Sequence, residues 1–363
     1  MTKELKTNEN ELQNQEIPIY ASMGMFIIDE IHFPDKTSVH DIFGGGGSFT
    51  IVGSRMVLTR KESKKAGWIV DIGSDCPQEI LDELERWNTG AVMRYDNSRF
   101  CTRGWNMYGD NDFRSFKYLT PKKRIDIPDL IENKHLLLSK SYHLLCSPER
   151  CVNLLNQMTI LRHNDVPMIV WEPIPDECTP ENLDECLAIL DKVDVLSPNA
   201  AEAAAFFNEN EPATIEECER IAFKFAKYTI KNGSKSGVVL RCGKLGCFIV
   251  NSDKSFQKWF PAYHNPKYDD FKVVDPTGAG NTFIGAFCTG FILSDRDWDC
   301  ACICGNIGSG AAIEQIGMPK LTFDNEIDLW NGKSFEQRLN IYLSRNPEIK
   351  MNSINVLKRL QRI

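Results

Sequence analysis

The sequence predicts an α/β protein with a mostly parallel sheet and helices on both faces. Short apolar runs, which are typical of buried strands, alternate with longer segments of helical spacing. The 363 residues have an ordinary globular composition, with 42% hydrophobic and 25% charged residues. This length corresponds to one large α/β domain or two ordinary domains. The composition excludes a wholly disordered chain, a collagen-like repeat and a small disulfide scaffold.

The apolar runs and the segments of helical spacing define the order of the elements. Residues 48–58 are expected to begin a buried helix, and residues 78–87 place their apolar side chains on one helical face. Residues 91–119 are rich in Arg, Asn and aromatic residues with strand-like alternation, which indicates a β insertion. The expected strands cover residues 19–28, 67–72, 135–138, 143–145, 167–171, 193–196 and a strand ending at 273–274, with helices near 148–163 and 180–191.

The charge balance and the cysteine content argue against several classes of function. The chain has 42 Lys and Arg against 50 Asp and Glu, a net charge of −8 with His neutral. This balance argues against binding duplex nucleic acid through a broad basic face. Thirteen irregularly spaced cysteines indicate reduced thiols, and their spacing does not suggest a zinc site. A polar tail over residues 1–18 without a signal peptide, and no apolar stretch long enough to span a bilayer, predict a cytoplasmic protein.

Residues 272–283 carry the strongest functional signal. Their sequence KVVDPTGAGNTF indicates a strand end, a glycine-rich turn and the start of an apolar helix. Gly278, Ala279 and Gly280 expose successive backbone N–H groups where the helix dipole adds partial positive charge. The segment therefore predicts an anion hole, although such a turn by itself is more often only a tight turn. No Walker-type G-K-[ST] motif occurs, which excludes a P-loop kinase.

The string DPTGAGN resembles the D-T-x-G-A-G-D signature of the pfkB (ribokinase-like) carbohydrate kinase family. Further elements resemble that family in the right order over residues 19–320. The resemblance implies a ribokinase-like three-layer α/β/α sandwich with a small β lid from about residues 31–42 and 91–119. It places this domain at residues 19–325, followed by a C-terminal helical extension at residues 326–363.

The resemblance also implies roles for individual residues. It places the substrate beside Asp29, Gly44, Gly45 and Phe49. It places the nucleotide and its phosphates beside Asp275, Asn199, Glu202, Gly243, Gly246 and Asn306, with Glu202 also serving a magnesium ion.

Some of these residues have a structural alternative. Asn199 and Glu202 have the spacing of a helix-capping box, which is compatible with the magnesium–phosphate role. Gly243 and Gly246 also suit a hairpin turn between two strands. Gly44–Gly47 also suits a flexible turn. The order of all the motifs along the chain favours the family.

Three positions depart from the family pattern. In the family, the last residue of the signature is the general base that takes the proton of the substrate hydroxyl, and here it is Asn281, a neutral amide. Phe49 replaces a sugar-binding Asn, and Glu172 stands where a shorter carboxylate is usual. A general base typically raises the reaction rate by about 100- to 10,000-fold. Phosphoryl transfer depends largely on positioning and charge neutralisation, so slow kinase turnover is compatible with the loss of this base.

These features predict a kinase-like protein that has lost the catalytic base and is an inactive or weak kinase. It is expected to bind nucleotide or phosphate and to act by binding or through partners. The alternative is an active ATP-dependent carbohydrate or nucleoside kinase with an atypical substrate. The resemblance implies ATP and Mg²⁺ as cofactors and leaves potassium open.

Length and variant motifs resemble one fungal member of the family. That resemblance implies a role in the stability of cytoplasmic double-stranded-RNA virus particles, with viral coat protein as partner and no direct contact with nucleic acid or membrane. A homodimer is also compatible with the sequence. Five aromatic residues suit either a dimer seam or a cover over the site: Trp105, Tyr108, Phe113, Phe116 and Tyr118.

Overall fold

The computed structural model describes residues 16–109, 114–163 and 165–362. Phe113 and most of the tail predicted over residues 1–18 lie outside these described residues. The strands are β1 (Tyr20–Ser22), β2 (Ile27–His32), β3 (Ser38–Gly44), β4 (Ala66–Gly73), β5 (Gly90–Asp96), β6 (Arg103–Tyr108), β7 (Arg114–Tyr118), β8 (Ser141–Leu145), β9 (Met168–Glu172), β10 (Val195–Leu196), β11 (Gly237–Arg241), β12 (Cys247–Asn251), β13 (Gln257–Phe260), β14 (Leu321–Asp324) and β15 (Ile327–Trp330).

The helices cover the faces of the sheet and most of the C-terminal segment. They are α1 (Gly46–Val57), α2 (Gln78–Trp87), α3 (Ile127–Glu132), α4 (Lys134–Leu137), α5 (Pro148–Leu161), α6 (Leu183–Ile189), α7 (Ala200–Ala205), α8 (Ile215–Ala226), α9 (Ala279–Leu293), α10 (Trp298–Ala312), α11 (Phe335–Arg345) and α12 (Ser353–Arg359).

Nine of the described strands form one sheet in the order β13-β12-β11-β10-β9-β8-β1-β4-β5. All neighbours in this sheet are parallel except β11–β12 and β12–β13. Apolar side chains of α1, α2, α9, α10, α11 and α12 pack on one face, and those of α3, α5, α6 and α8 pack on the other. The predicted mostly parallel sheet between two helical layers is confirmed.

α9 is apolar on every side because it lies between α1 and α10. A Cβ atom on Gly53 would collide with the carbonyl group of Thr282, and one on Gly285 would collide with that of Thr50. Glycine at both positions therefore lets α1 and α9 approach until their backbones touch. This close packing brings the N-termini of α1 and α9 to the same edge of the sheet.

A second sheet, in the order β3-β2-β6-β7, is formed by described residues between 27 and 118. The strand predicted over residues 19–28 is divided between the two sheets, because β1 joins the large sheet and β2 joins the small one. Asp29 thus lies within β2 rather than at the end of the first strand. Residues 91–96, expected in the lid, belong to β5 and extend the large sheet.

Three further elements differ from the sequence-based expectation. Residues 135–138 lie in and just after the short helix α4, since a brief apolar run does not distinguish strand from buried helix. Val273 and Val274 lie in an exposed loop, where the Val274 N–H donates to the Ile313 carbonyl. The C-terminal segment begins with a β-hairpin, β14–β15, before its helices. The domain boundaries at 325 and 326 stay a prediction, and they fall in the turn of this hairpin.

All thirteen cysteines lie within the described residues as free thiols, and all but the half-buried Cys76 are buried. Across those same residues, no helix combines the length and the apolar character that crossing a membrane requires.

Candidate functional site

The carboxyl ends of three parallel strands meet the N-terminus of α9. Glu172 is the last residue of β9 and Arg241 the last of β11, while Asn199 and Glu202 begin α7 just after β10. In a parallel sheet this edge is where ligands bind, because the loops and helix N-termini converge there. The strands therefore position a group of charged side chains beside the glycine-rich turn.

Arg241 is the centre of this charged group. Its Nη2 pairs closely with Oε1 of Glu172, lies 3.6 Å from Oε2 of Glu202 and donates to the Ser197 carbonyl oxygen at 3.1 Å. On the other side of Glu172, Nε2 of His143 lies 2.8 Å from Oε2. The four side chains of Arg241, Glu172, Glu202 and His143 are 3–11% exposed, so their charges interact through a largely water-free space.

The two glutamates of this group differ in acidity. Burial opposes ionisation of Glu172, but the positive charge of Arg241 and the contact with His143 hold its pKa below the ordinary value. Burial raises the pKa of Glu202, and the neighbouring charge of Glu172 raises it further against the effect of Arg241. Glu172 is therefore the principal counterion of Arg241 at neutral pH.

The glycine-rich turn begins α9 in a left-handed conformation. Gly278 has φ of +77°, and its carbonyl accepts hydrogen bonds from the N–H and the hydroxyl of Thr282 at 2.9 Å each. The Ala279 N–H donates within the turn to the Pro276 carbonyl at 3.2 Å. The first turn of a helix has no internal acceptor for its N–H groups, so those of Gly280 and Asn281 are the ones directed outward. The predicted anion hole thus rests on Gly280 and Asn281 more than on Ala279.

Two side chains of the protein lie directly over this turn. The Phe49 ring packs against Gly278, where a Cβ atom would collide with it, and it is only 4% exposed. The guanidinium of Arg241 lies over Gly280, where a Cβ atom would collide with Nη1. Phe49, expected to face the substrate, instead buries its ring against the turn.

Asp29 lies in a second polar site, in the small sheet. Cβ atoms on Gly44 or Gly104 would collide with its carboxylate, so glycine at both positions is what makes room for it. Burial raises the pKa of Asp29 from 3.8 to about 6, although hydrogen bonds from Asn106 and the Gly45 backbone favour the ionised form. Gly45 caps α1 with φ of +92°. The structure therefore brings together Asp29, Gly44 and Gly45, and their role beside a substrate stays a prediction.

A cleft of about 720 Å³ lies between the small sheet and the carboxyl edge of the large one. Phe116 and Tyr118 line it from the small sheet, with their ring centroids 4.9 Å apart. Gly46 and Leu145 line its other side, and Oδ1 of Asn281 would be 3.3 Å from a Cβ atom on Gly46. This Oδ1 atom is buried without a hydrogen-bond partner among the described residues. Asn281 thus stands where the cleft meets the turn and has a free acceptor.

Other predicted site residues lie apart from this group. Asn306 is buried in the core, where its amide donates to the Cys302 carbonyl and to Sγ of Cys247. Gly243 and Gly246 shape the turn between β11 and β12, with φ of +53° and +97°. Their place in that turn agrees with the structural alternative, and a nucleotide role for them stays a prediction.

Asp275 and Trp105 also make contacts of their own. The buried carboxylate of Asp275 accepts the Thr277 N–H at 2.9 Å and so shapes the turn before α9. Trp105 lies against His32 with Lys117 over its ring. Tyr108 ends β6. None of these contacts reaches Gly278–Gly280.

The magnesium role of Glu202 does not fit this arrangement. Its Oε1 and Oε2 accept hydrogen bonds from the side chain and the backbone of Asn199 at 2.7 and 2.8 Å, and Asn199 in turn accepts the Glu202 N–H. This is the capping box, and Arg241 supplies the positive charge nearby. In the part of the chain that the structure describes, no group of three or more His, Cys, Asp or Glu side chains is placed to hold a metal ion.

Sequence reasoning missed Arg241 and His143. The signal for Arg241 was a charged residue directly after the buried run GVVL, at the end of a strand in a predicted parallel sheet. His143 gave no such signal, because it lies within a short apolar run. Its contact with Glu172 arises only from the pairing of β8 with β9.

Comparison with known proteins gives matches over most of the chain. A family model described as "pfkB family carbohydrate kinase" matches residues 96–320. The chain is 38% identical over 356 residues to Protein MAK32 of Saccharomyces cerevisiae, covering 93% of this chain and 95% of that protein. It is also 38% identical over 339 residues to an uncharacterised protein of Schizosaccharomyces pombe, covering 89% and 92%.

A solved structure shows the same fold. Ribokinase from Giardia lamblia superposes with a TM-score of 0.62 at 16% identity, covering 83% of this chain and 94% of that one. The ribokinase-like α/β architecture predicted from the motifs is therefore confirmed.

Proposed function

The chain belongs to the pfkB family of carbohydrate kinases, and on that basis we propose that it binds a nucleotide or other phosphate compound but phosphorylates alcohols slowly or not at all. The observation that carries this proposal is Asn281. Its amide lies in the first turn of α9 beside the cleft, where the resemblance places the general base. A carboxamide donates and accepts hydrogen bonds but does not take up a proton near neutral pH. Asn281 can therefore help to bind a ligand, but it does not accept the proton that the substrate hydroxyl must lose.

The first turn of α9 supports the binding half of the proposal. The N–H groups of Gly280 and Asn281 point outward from a helix of 15 residues, whose dipole favours an anion at this end. Phe116 and Tyr118 line the adjoining cleft, and the Asp29 carboxylate and the Phe116 ring both lie against Gly104. Such a cleft suits a ligand with hydroxyl groups and an apolar face.

Two measurements on the unmodified protein test this proposal. Calorimetry with ATP, ADP and inorganic phosphate is expected to show binding. Incubation with MgATP and a panel of sugars and nucleosides is expected to release ADP far more slowly than the ~1 s⁻¹ at the lower end for kinases. Turnover near that rate with any substrate would contradict the proposed loss of kinase activity. If none of the phosphate compounds binds to the protein, the proposed ligand binding is contradicted.

Restoring the carboxylate is the sharper test. The variant Asn281→Asp is isosteric and supplies a proton acceptor at the same atom. If the base alone is missing, ADP release with the right acceptor should rise by about 100-fold or more. The matched control Asn355→Asp makes the same chemical change on the exposed side of α12 and should leave ADP release unchanged. No gain in Asn281→Asp, with ATP binding intact, would mean that the cleft has also lost its substrate.

An active ATP-dependent carbohydrate or nucleoside kinase with an atypical substrate is the second candidate. Asp29 favours it, because this buried carboxyl has one oxygen without a hydrogen-bond partner among the described residues and a pKa raised by burial to about 6. Such a group accepts a hydroxyl proton more readily than an ordinary aspartate. The ADP assay decides between the two candidates, and loss of any observed turnover in Asp29→Asn assigns it to this cleft.

The partner role follows from the resemblance to a fungal member of the family and is part of the same proposal. It gives the protein a cytoplasmic location and a function in the stability of double-stranded-RNA virus particles. The net charge of −8 suits contact with coat protein better than contact with RNA. Co-sedimentation with purified particles, and shorter particle lifetimes when the protein is removed, are the expected results. A homodimer is tested by the mass of the protein in solution.

A further inference from the structure

We propose that Arg241 takes the place of a divalent cation at the phosphate end of this site, so that the protein binds the phosphates of its ligand without Mg²⁺. The inference rests on the proposed function, since it concerns how the same turn of α9 holds a phosphate. It assigns to Arg241 a role as a phosphate ligand. It also explains why the acidic residues nearby are unsuited to a metal.

The position of Arg241 is the first observation. Its guanidinium lies over Gly280, in the first turn of α9. A cation at a helix N-terminus is unfavourable, because it faces the positive end of the helix dipole. A phosphate bound beside both the guanidinium and the outward N–H groups of Gly280 and Asn281 would replace this repulsion with two attractions. The guanidinium and the N-terminus of α9 thus both attract an anion to this site.

Unused donors on Arg241 are the second observation. Nη2 makes the described contacts, to Glu172, Glu202 and the Ser197 carbonyl. Nε is buried and has no hydrogen-bond partner among the described residues. Nη1 faces Gly280 in the first turn of α9. Nε and Nη1 lie on different edges of the guanidinium, so each offers a single charged donor to a phosphate oxygen.

Glu202 and Glu172 are the third observation. Both oxygens of Glu202 are held by Asn199, and those of Glu172 face Arg241 and His143. A Mg²⁺ ion prefers carboxylate oxygens and retained water at short distances. Both oxygens of Glu202 and Oε1 of Glu172 already accept hydrogen bonds, and Oε2 of Glu172 lies 2.8 Å from the His143 ring. A metal here would also lie beside the guanidinium, and the two positive charges repel. The arrangement therefore favours an arginine–phosphate contact over a metal–phosphate contact.

The test compares ligand binding with and without the metal. The full chain is titrated with ADP and, separately, with inorganic phosphate, once in EDTA and once in excess Mg²⁺. The inference expects the two dissociation constants for each ligand to agree within about threefold. Binding that is tenfold or more weaker in EDTA contradicts the inference and leaves the proposed function standing. Absence of binding in both conditions contradicts the proposed function itself.

Arg241 variants locate the effect. Arg241→Gln removes the charge and should weaken ADP binding in EDTA by about tenfold or more, since one charged hydrogen bond is worth that much. Arg241→Lys keeps the charge and should retain most of the binding. The matched control Arg220→Gln removes an exposed arginine of α8 and should change binding less than twofold.

Folding of the variants is checked independently of binding. Because Arg241→Gln leaves Glu172 without its main counterion, the double variant Arg241→Gln/Glu172→Gln is included, and its circular dichroism and melting temperature are compared with the unmodified protein. A folded double variant that binds ADP in EDTA as tightly as the unmodified protein overturns the role of Arg241.

Discussion

At the scale of the residue, Asp29 shows how burial fixes a chemical property. Its carboxyl occupies space that exists only because Gly44 and Gly104 have no Cβ atom. The same enclosure removes water and disfavours the ionised form. A buried carboxyl with a pKa near the physiological range is thus obtained at a cost in stability.

This cost predicts a pH dependence of stability. The pKa of Asp29 is raised from 3.8 to about 6 by burial, so the folded state holds the proton more tightly than the unfolded chain does. The resulting contribution to the free energy of unfolding is complete below about pH 4, where the carboxyl is protonated in both states. It is lost as the pH rises through about 6, because the folded state must then enclose a charge that the unfolded chain leaves in water. A two-unit shift corresponds to roughly 3 kcal/mol.

Asp29→Asn should therefore stabilise the protein at pH 7.5 by up to about 3 kcal/mol and change little at pH 4. Urea unfolding at the two pH values measures this difference. The control Asp191→Asn lies on the exposed surface and should change stability by less than about 0.5 kcal/mol at both. Equal effects of Asp29→Asn at pH 4 and 7.5 would contradict the role of its ionisation.

At the scale of the element, the N-terminus of α9 depends on one backbone conformation and one packing contact. Gly278 adopts φ of +77°, and the Phe49 ring fills the space where a side chain would start. The turn is therefore held both by its dihedral angle and by the core. The proposed anion site requires such support, because a binding site needs its donors held in place by packing around them.

Gly278→Ala should lower the free energy of unfolding by more than Gly243→Ala does. Both positions have positive φ, which costs about 1–2 kcal/mol for a residue with a Cβ atom. Gly243 has open space around it, whereas at Gly278 the new methyl group meets Phe49. The extra loss at Gly278, measured by urea unfolding, should be about 1–3 kcal/mol. Equal losses at the two positions would show that the contact with Phe49 adds nothing.

At the scale of the whole molecule, a buried ion pair fastens the C-terminal segment to the domain. Arg338 of α11 donates to both oxygens of Glu314 at 2.7 and 2.8 Å and to the Trp330 carbonyl at 2.9 Å. His264 also lies against Glu314, at 3.2 Å. Burial opposes ionisation of Glu314, but Arg338 and His264 hold its pKa far below the ordinary value. The segment is thus part of the folded core.

Arg338→Met should destabilise the protein by about 3–5 kcal/mol, because Glu314 is left as an uncompensated buried charge. Urea unfolding measures the loss. The double variant Arg338→Met/Glu314→Leu should recover much of it, since an apolar pair replaces the broken ion pair. Arg220→Met, at an exposed ion pair, should cost less than about 1 kcal/mol. A loss in Arg338→Met no larger than this control would contradict the proposed fastening.

The fold and the glycine-rich turn were predictable because their signals are local. Apolar runs, helical spacing and the string DPTGAGN lie within single segments, and the parallel order of the strands follows from their alternation with helices. The strands predicted at residues 135–138 and 273–274 were wrong, because such short apolar runs do not show whether another strand pairs with them. The division of residues 19–28 between two sheets likewise depends on pairing partners distant in sequence.

The chain's own residues determined the fold class, the helix that begins at the glycine-rich turn and the amide at position 281, since each is written in consecutive positions. Only the tertiary structure decided that Arg241 lies over Gly280, that Phe49 covers Gly278 and that Glu202 lies 3.6 Å from Arg241. These contacts join residues from separate strands and helices. Their geometry depends on sheet register and helix packing, which no single segment specifies.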